Sequence, residues 1–333
     1  MGHLADCTIG ADFMDLDRPT HHTHDAAGDP PQSLRDTSLI VCTRNRPELL
    51  LETVESVLRG EAVPGEIVVI DQSDVPHRVL ARYPEVRGCR IGYCRIDARG
   101  VSAARNAGAL SARHDLLIFI DDDMIAARDW LSVLVNALVR LGNGGVVTGQ
   151  VAPAGAGSAA PSTKVAPTPA LYQGRTGSDV LYTGNMALYR ASLLGLGGFD
   201  ERLGPGTAFP AAEDNDLGFR LLESGHPIAY VPGAVLYHQD WRTGRETFLL
   251  RWRYGRGQGA FYAKHLSLSD RYMLRRMVKD TVIGLRSVAR MIVSTPSRAA
   301  AEFLYVTGLM AGAAGWWWTH GSRRNTPHSL SRS

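Results

Sequence analysis

The apolar run LLIFI opens at its carboxyl end onto three consecutive aspartates, Asp121, Asp122 and Asp123. Adjacent carboxylates repel, so a fold that holds three together normally supplies a cation. Oxygen-only ligands at a strand end suit Mg²⁺ or Mn²⁺, which keep several waters and take phosphate oxygens. Strand alternation sends Asp121 and Asp123 to one side and Asp122 to the other. The competing reading is an acidic loop capping the next helix. Asp71 ends a second apolar run, where it can accept hydrogen bonds from a nucleobase edge or a ribose hydroxyl, or fold an Asx turn. Thr43 and Arg44 follow a third run and share that rim. In GVSAARNAG, Gly100 marks a turn, Ser102 an N-cap, and Arg105 a cation in the first helical turns, suited to a diphosphate or to a salt bridge. Glu213, Asp214 and Asp216 open a later helix. There they either stabilise its dipole or supply a carboxylate that deprotonates an acceptor hydroxyl. His238 ends the last apolar run, as a neutral ligand for the same metal or as a satisfied rim histidine.

Elements that could position these residues are legible from periodicity. Short buried strands are expected at 38–43, 66–71, 89–96 and 115–120. Helical patterns cover 47–60, with Pro47 in its first turn, 102–113 and 128–141. Strand–helix alternation of this kind predicts an α/β fold with a mostly parallel sheet covered on both faces, and a ligand site beyond the carboxyl ends of the strands. Residues 152–180 are rich in Ala, Pro, Gly, Ser and Thr and read as a long surface loop, a candidate lid. A helix starts near 209–225, and PIAYVPGAVLYH (227–238) reads as a strand pair. Residues 1–36 read as a flexible tail, whose His21, His22, His24 and Asp25 form a weak metal cluster.

Of 333 residues, 44% are hydrophobic and 21% charged, which excludes a disordered, collagen-like or disulfide-stapled chain. The net charge of +3 is unevenly spread. From Trp241 onward there are 16 Lys/Arg against 4 Asp/Glu, a net of +12, whereas Met1–Asp240 carries 20 against 29, a net of −9. A basic end of this kind points to nucleic acid or a membrane surface. No nucleic-acid-binding signature accompanies it. RYMLRRMVKDTVIGLRSVARMIV (271–293) resembles an interfacial helix, and EFLYVTGLMAGAAGWWW (302–318) sits at the lower limit for spanning a bilayer, with tryptophans suited to the headgroup level. A soluble helical subdomain or oligomer interface is the alternative. RGQG (256–259) reads as a helix break. Cys7, Cys42, Cys89 and Cys94 have no zinc spacing and read as free thiols. The acidic N-terminus lacks signal-peptide character, so the expected location is the cytoplasm, peripheral at the inner face of the cell membrane.

Together these segments resemble the inverting family 2 glycosyltransferases of GT-A fold. The resemblance runs from about Ser38 to His265 through IVCTRNRP, VVIDQS, GVSAARNAG, FIDDD, TGNMALYR, GGFDERL, AAEDNDLGFRL and VLYH, in the family's order. It implies a Rossmann-like nucleotide-binding domain over 37–240, with its nucleotide-sugar half to about 150 and its acceptor half after it. A basic helical region follows over 241–320, then a flexible tail over 321–333. It implies a nucleotide-diphosphate-sugar donor, Mg²⁺ or Mn²⁺, inversion at the anomeric carbon, and a glycan, lipid-linked, cell-envelope or small-molecule acceptor. Carried over by position, Asp71 matches the nucleobase contact, Asp121 the ribose or metal contact, Asp123 the principal metal ligand, His238 the later metal ligand and Asp214 the general base. Arg99 stands where many members have Asn. A sugar nucleotidyltransferase shares the fold class and metal but wants a Gly-rich loop after the first strand, which CTRNRPE lacks. A dehydrogenase lacks GxGxxG after a strand, and a non-catalytic membrane-associated binding module wants an eroded triplet.

Overall fold

A computed structural model describes residues 32–76, 80, 85–155, 164–239 and 244–320. In chain order the elements are α1 (Gln32–Arg35), β1 (Thr37–Thr43), α2 (Pro47–Leu58), β2 (Glu66–Asp71), β3 (Glu85–Val86), β4 (Cys89–Arg95), α3 (Val101–Ser111), β5 (Leu116–Asp121), β6 (Met124–Ala126), α4 (Trp130–Leu141), β7 (Val146–Pro153) and β8 (Ala170–Tyr172). They continue with β9 (Asn185–Tyr189), α5 (Arg190–Gly195), α6 (Glu213–Glu223), β10 (Ile228–His238), α7 (Gly244–His265), α8 (Tyr272–Met291) and α9 (Pro296–His320).

The strands form one sheet in the order β3-β4-β2-β1-β5-β9-β7-β10-β6, with β8 paired to β10. Its central run, β4-β2-β1-β5, is parallel. TSLIVCT, EIVVID and LLIFID are buried along nearly their whole length, as strands covered on both faces must be. One apolar layer, with Leu50, Val54, Leu134 and Leu138 from α2 and α4, covers the first face. A second, with Ala104, Ala109, Leu217 and Leu221 from α3 and α6, covers the other. Every central parallel strand therefore points its carboxyl end at the same rim. In register, Thr43 lies beside Asp71 and Cys42 beside Asp121.

Three sequence expectations need correction. Gln32–Arg35 form a helix rather than part of a tail reaching residue 36, and Leu34 is buried in the first core layer. The segment 227–238 is a single strand whose register shifts between Val231 and Val235, not a strand pair. Asn185 secures that shift, donating from Nδ2 to the carbonyls of Gln150 and Ala234 at 2.9 Å and accepting from Trp130 Nε1 at 2.9 Å. Finally, RGQG does not break a helix; α7 runs through it. A Cβ on Gly259 would sit 1.9 Å from the carbonyl oxygen of Leu309, and one on Gly312 2.0 Å from that of Arg256. These glycines thus let α7 and α9 lie backbone to backbone.

Cys42, Cys89 and Cys94 are free thiols, with Cys89 buried and Cys94 exposed. Residues 164–180 carry only β8 and an isolated bridge between Val151 and Lys164. His21, His22, His24, Asp25, Cys7 and the 321–333 tail lie outside the described residues. No helix among those described is long and apolar enough to cross a membrane.

Candidate active site

Beyond the strand ends lies a cavity of about 930 Å³. Thr43, Arg44, Asp121, Asp122, Asp123, Arg105, Glu213, Asp214 and His238 all line it, although they lie up to 195 residues apart in sequence. The loop after β1 turns back through Asn45, whose φ of 56° is left-handed, a conformation asparagine tolerates. Asn45 also clasps the loop after β2, donating to Asp74 at 2.9 Å and accepting from its N–H at 3.0 Å. The turn aims Arg46 at the triplet, with Nη2 2.7 Å from Asp122 Oδ1 and Nη1 3.0 Å from Asp123 Oδ2.

The alternating-side expectation for the triplet fails. β5 ends at Asp121, and Asp122 and Asp123 lie in a turn, so both face one guanidinium. Asp122 is buried and also accepts the Thr43 hydroxyl at 2.6 Å. Gly184 admits Asp121, whose Oδ2 would lie 2.3 Å from any Cβ there. Asp121 then meets Arg105 at 2.9 Å, and the same guanidinium reaches Glu213 at 3.4 Å and Asp214 at 3.5 Å. Arg105 is therefore an ion-pair bridge between the triplet and the first turn of α6. The backbone brings His238 in: it pairs with Met124 across β10 and β6, and Gln239 N–H donates to the Asp123 carbonyl at 2.9 Å.

Asp71 holds its rim register but turns its carboxylate inward. It accepts the Ser73 N–H at 2.7 Å and the Tyr93 hydroxyl at 2.5 Å, while its neighbour Gln72 lines the cavity. Asp216 also leaves the site. It is fully buried beneath α7, with Lys264 at 2.5 Å, His265 at 2.7 Å and Arg220 at 2.8 Å. Sequence reasoning missed Arg46, Thr183, which donates to Asp214, and Tyr182, which reaches Asp121 at 3.4 Å. Only the Arg in CTRNRPE carried a signal, since its type fits an acidic rim.

Residues 38–196 match the family described as Glycosyl transferase family 2. The chain carries a family 2 glycosyl transferase domain. Among curated relatives, the glucosyl-dolichyl phosphate glucuronosyltransferase of Haloferax volcanii is 25% identical over 308 residues, 85% of this chain and 95% of that protein. The pre-mycofactocin glycosyltransferase of Mycobacterium tuberculosis is 28% identical over 263 residues, 74% of this chain but only half of that protein. Among solved structures, the mannosyltransferase PcManGT of Pyrobaculum calidifontis, in complex with GDP-Man and Mn²⁺, superposes with a TM-score of 0.55 at 17% identity, covering 86% of this chain and 88% of that one. At that identity the likeness is one of fold, and it establishes the GT-A architecture.

Within the cavity, burial dominates the electrostatics. It raises Asp122 to about 7 against the opposing pull of Arg46, and Glu213 to about 8, helped by Asp214 and opposed by Arg105. Asp214 is raised by burial too, while Arg105 and the Thr183 hydroxyl pull it back. Among the described residues no three His, Cys, Asp or Glu side chains form a ready-made metal cluster. Asp121 is drawn to Arg105, whereas Asp123 Oδ2 faces His238 Nε2 at 3.7 Å. His238 Nδ1 is buried with no hydrogen-bond partner among the described residues. Carboxylate oxygens suit Mg²⁺ and Mn²⁺, and an added imidazole favours Mn²⁺, the transition metal of the two. The residues present therefore fit a divalent cation, and Arg46 supplies positive charge at Asp123 in this structure.

Proposed function

We propose that the protein is a metal-dependent, inverting, hexosyltransferase-type enzyme that moves a sugar from a nucleotide-diphosphate donor to an acceptor hydroxyl. One observation carries the reading: a carboxylate pair, buried Glu213 and half-buried Asp214, lines one cavity with the aspartate rim and is joined to it by Arg105. Asp123 and His238, with Asp121 once it exchanges Arg105, are the groups that would hold Mg²⁺ or Mn²⁺. When bound, such a cation neutralises charge developing on a departing diphosphate. Arg44 and Arg46 line the same end, and the buried Nε of Arg44 has no hydrogen-bond partner among the described residues, which suits an anionic leaving group. For Asp71 to reach a nucleobase its carboxylate must first leave Tyr93.

Asp214 takes the acceptor proton as the hydroxyl oxygen bonds to the anomeric carbon from the face opposite the leaving diphosphate, which inverts that centre. Thr183 and Arg105 fix the carboxylate's direction, and Glu213 shares its charge environment. Asp214→Asn is expected to leave donor affinity nearly intact and to lower transfer at least 100-fold, an amount typical of a lost general base. Undiminished transfer by the variant would remove Asp214 from this role. The division into a donor half to about residue 150, an acceptor half to 240 and a basic helical region to 320 belongs to the same reading. So does peripheral attachment of that last region to the cytoplasmic membrane surface, where the acceptor is a glycan, a lipid-linked sugar of the cell envelope or a small molecule. The relative that acts on a glucosyl-dolichyl phosphate supports the lipid-linked class.

A further inference from the structure

The cavity does not end with the glycosyl transferase domain. Its far wall is built from the three C-terminal helices: Tyr254 and Gln258 of α7, Asp280 and Ile283 of α8, and Glu302 and Tyr305 of α9. The wall starts one residue from the proposed base, because Asn215 donates from Nδ2 to Gln258 Oε1 at 2.6 Å. The aspartate rim, Asp214 and this wall line one cavity, which leaves this wall to an acceptor when the rim holds the donor. Its chemistry is that of a sugar site. Asp280 accepts one bond, from the Tyr262 hydroxyl at 2.5 Å, and a carboxylate has capacity for several more. Two carboxylates offer acceptors to hydroxyl protons beside the Gln258 amide, which is held by Asn215 and Asp179, and the Tyr254 ring lines the same wall. Arg251, the lining cation from these helices, is committed to Glu302 and stacks 4.7 Å over Tyr305. An anionic group here would face two carboxylates with that guanidinium already paired. The outer lip is apolar. Ile283 lines the cavity yet is 50% exposed, so an apolar side chain stands where the cavity opens to solvent.

We propose that the α7–α9 wall is the acceptor subsite and that it takes an uncharged glycosyl group bearing an apolar aglycone, with the sugar between Gln258, Asp280 and Glu302 and the aglycone leaving over Ile283. This rests on the glycosyltransferase reading and names the acceptor class. It is tested on the full chain by saturation-transfer NMR and calorimetry, with octyl glucoside, octyl galactoside and octyl mannoside as probes, all below their micelle-forming concentrations. Methyl glycosides, octyl glucuronide and a sugar-free octyl tetraethylene glycol ether serve as comparisons. At least one octyl glycoside is expected to bind 10-fold or more tighter than its methyl counterpart, the glucuronide and the ether. Ile283→Asp should abolish the advantage of the octyl chain. Asp280→Asn with Glu302→Gln should raise glucuronide binding, a gain that misfolding cannot produce. Equal binding of octyl and methyl glycosides, glucuronide binding as tight as glucoside, or no binding by any octyl glycoside would overturn the assignment. Nucleotide-sugar binding with Mn²⁺, measured on the same samples, separates the two failures: donor binding without glycoside binding removes only the acceptor subsite, whereas absence of both removes the glycosyltransferase reading.

Discussion

Arg105 is the side chain through which the two ends of the site feel one another. Burial works against its charge, yet Asp121, Asp214 and Glu213 together hold it more firmly protonated than a free guanidinium. Its sequence context suggested a diphosphate contact or a salt bridge, and the structure shows ion pairs to both acidic groups. That bridge was illegible beforehand because it depends on α6, more than a hundred residues away. Asp214 is the reverse case: its type and first-turn position were readable, but not its burial or its bond from Thr183. Those two facts give a pH prediction. A base acts only when ionised, so a carboxyl raised by burial gives a kcat/KM that rises with pH, with an acid limb above the ordinary carboxylate range. Thr183→Val deletes a hydrogen bond that favours the ionised form. It should move the limb upward by about one pH unit, the worth of a charge-assisted bond of about 1.5 kcal/mol. A pH–rate profile checks both statements, and a limb at the usual carboxylate value, unmoved in the variant, would contradict them.

Helix α6 has its own anchor. Asp216, two residues after the proposed base, is buried among Lys264, His265 and Arg220 and titrates well below the usual range; burial opposes its charge and these cations outweigh it. A depressed folded value means that its stabilisation is fully present above the unfolded pKa, near 4, and fades as pH falls through the folded one. Asp216→Asn should therefore cost about 3–5 kcal/mol at neutral pH, the usual loss when one partner of a buried ion cluster is removed. The gap to the unaltered protein should narrow in acid, and denaturant unfolding at pH 7 and pH 3 measures it. In sequence this aspartate was indistinguishable from Glu213 and Asp214, since all three suit a helix N-terminus. The central strands were the most readable elements: EIVVID falls on β2 as expected, because a short β-branched apolar core between charged ends suits a buried strand. RGQG misled because glycine has two uses, breaking a helix and letting two helices touch, and only α9 decides between them. Gly312→Val tests the second use. With the Arg256 carbonyl 2.0 Å from a Cβ, it should destabilise by at least about 1–3 kcal/mol, the ordinary cost of overpacking, read as a lower midpoint of thermal unfolding.

Across the whole molecule the acidic body and basic end turn out to share a cavity, because α7, α8 and α9 fold back over the strand rim. Charge counting exposed the asymmetry but not this closure, which rests on contacts between distant segments. The tryptophan run also divides by position. Trp316 is buried against Phe209 with ring centroids 5.3 Å apart, whereas Trp317 and Trp318 are exposed. Sedimentation with vesicles should show binding to anionic but not to neutral lipid, at about 1 kcal/mol per well-placed basic residue. That binding should weaken with salt and fall in the Trp317→Ala, Trp318→Ala double variant; salt-independent binding would contradict an electrostatic surface. The central claim, that this cavity holds a nucleotide-diphosphate sugar through a cation on the aspartate rim, is tested most directly by titrating the protein and its Asp123→Ala variant with a panel of sugar nucleotides, with and without Mn²⁺. At least one donor is expected to bind, at least 10-fold tighter with Mn²⁺ than without, and the variant is expected to lose this dependence. Binding of no donor, or affinity indifferent to both Mn²⁺ and Asp123, would contradict it.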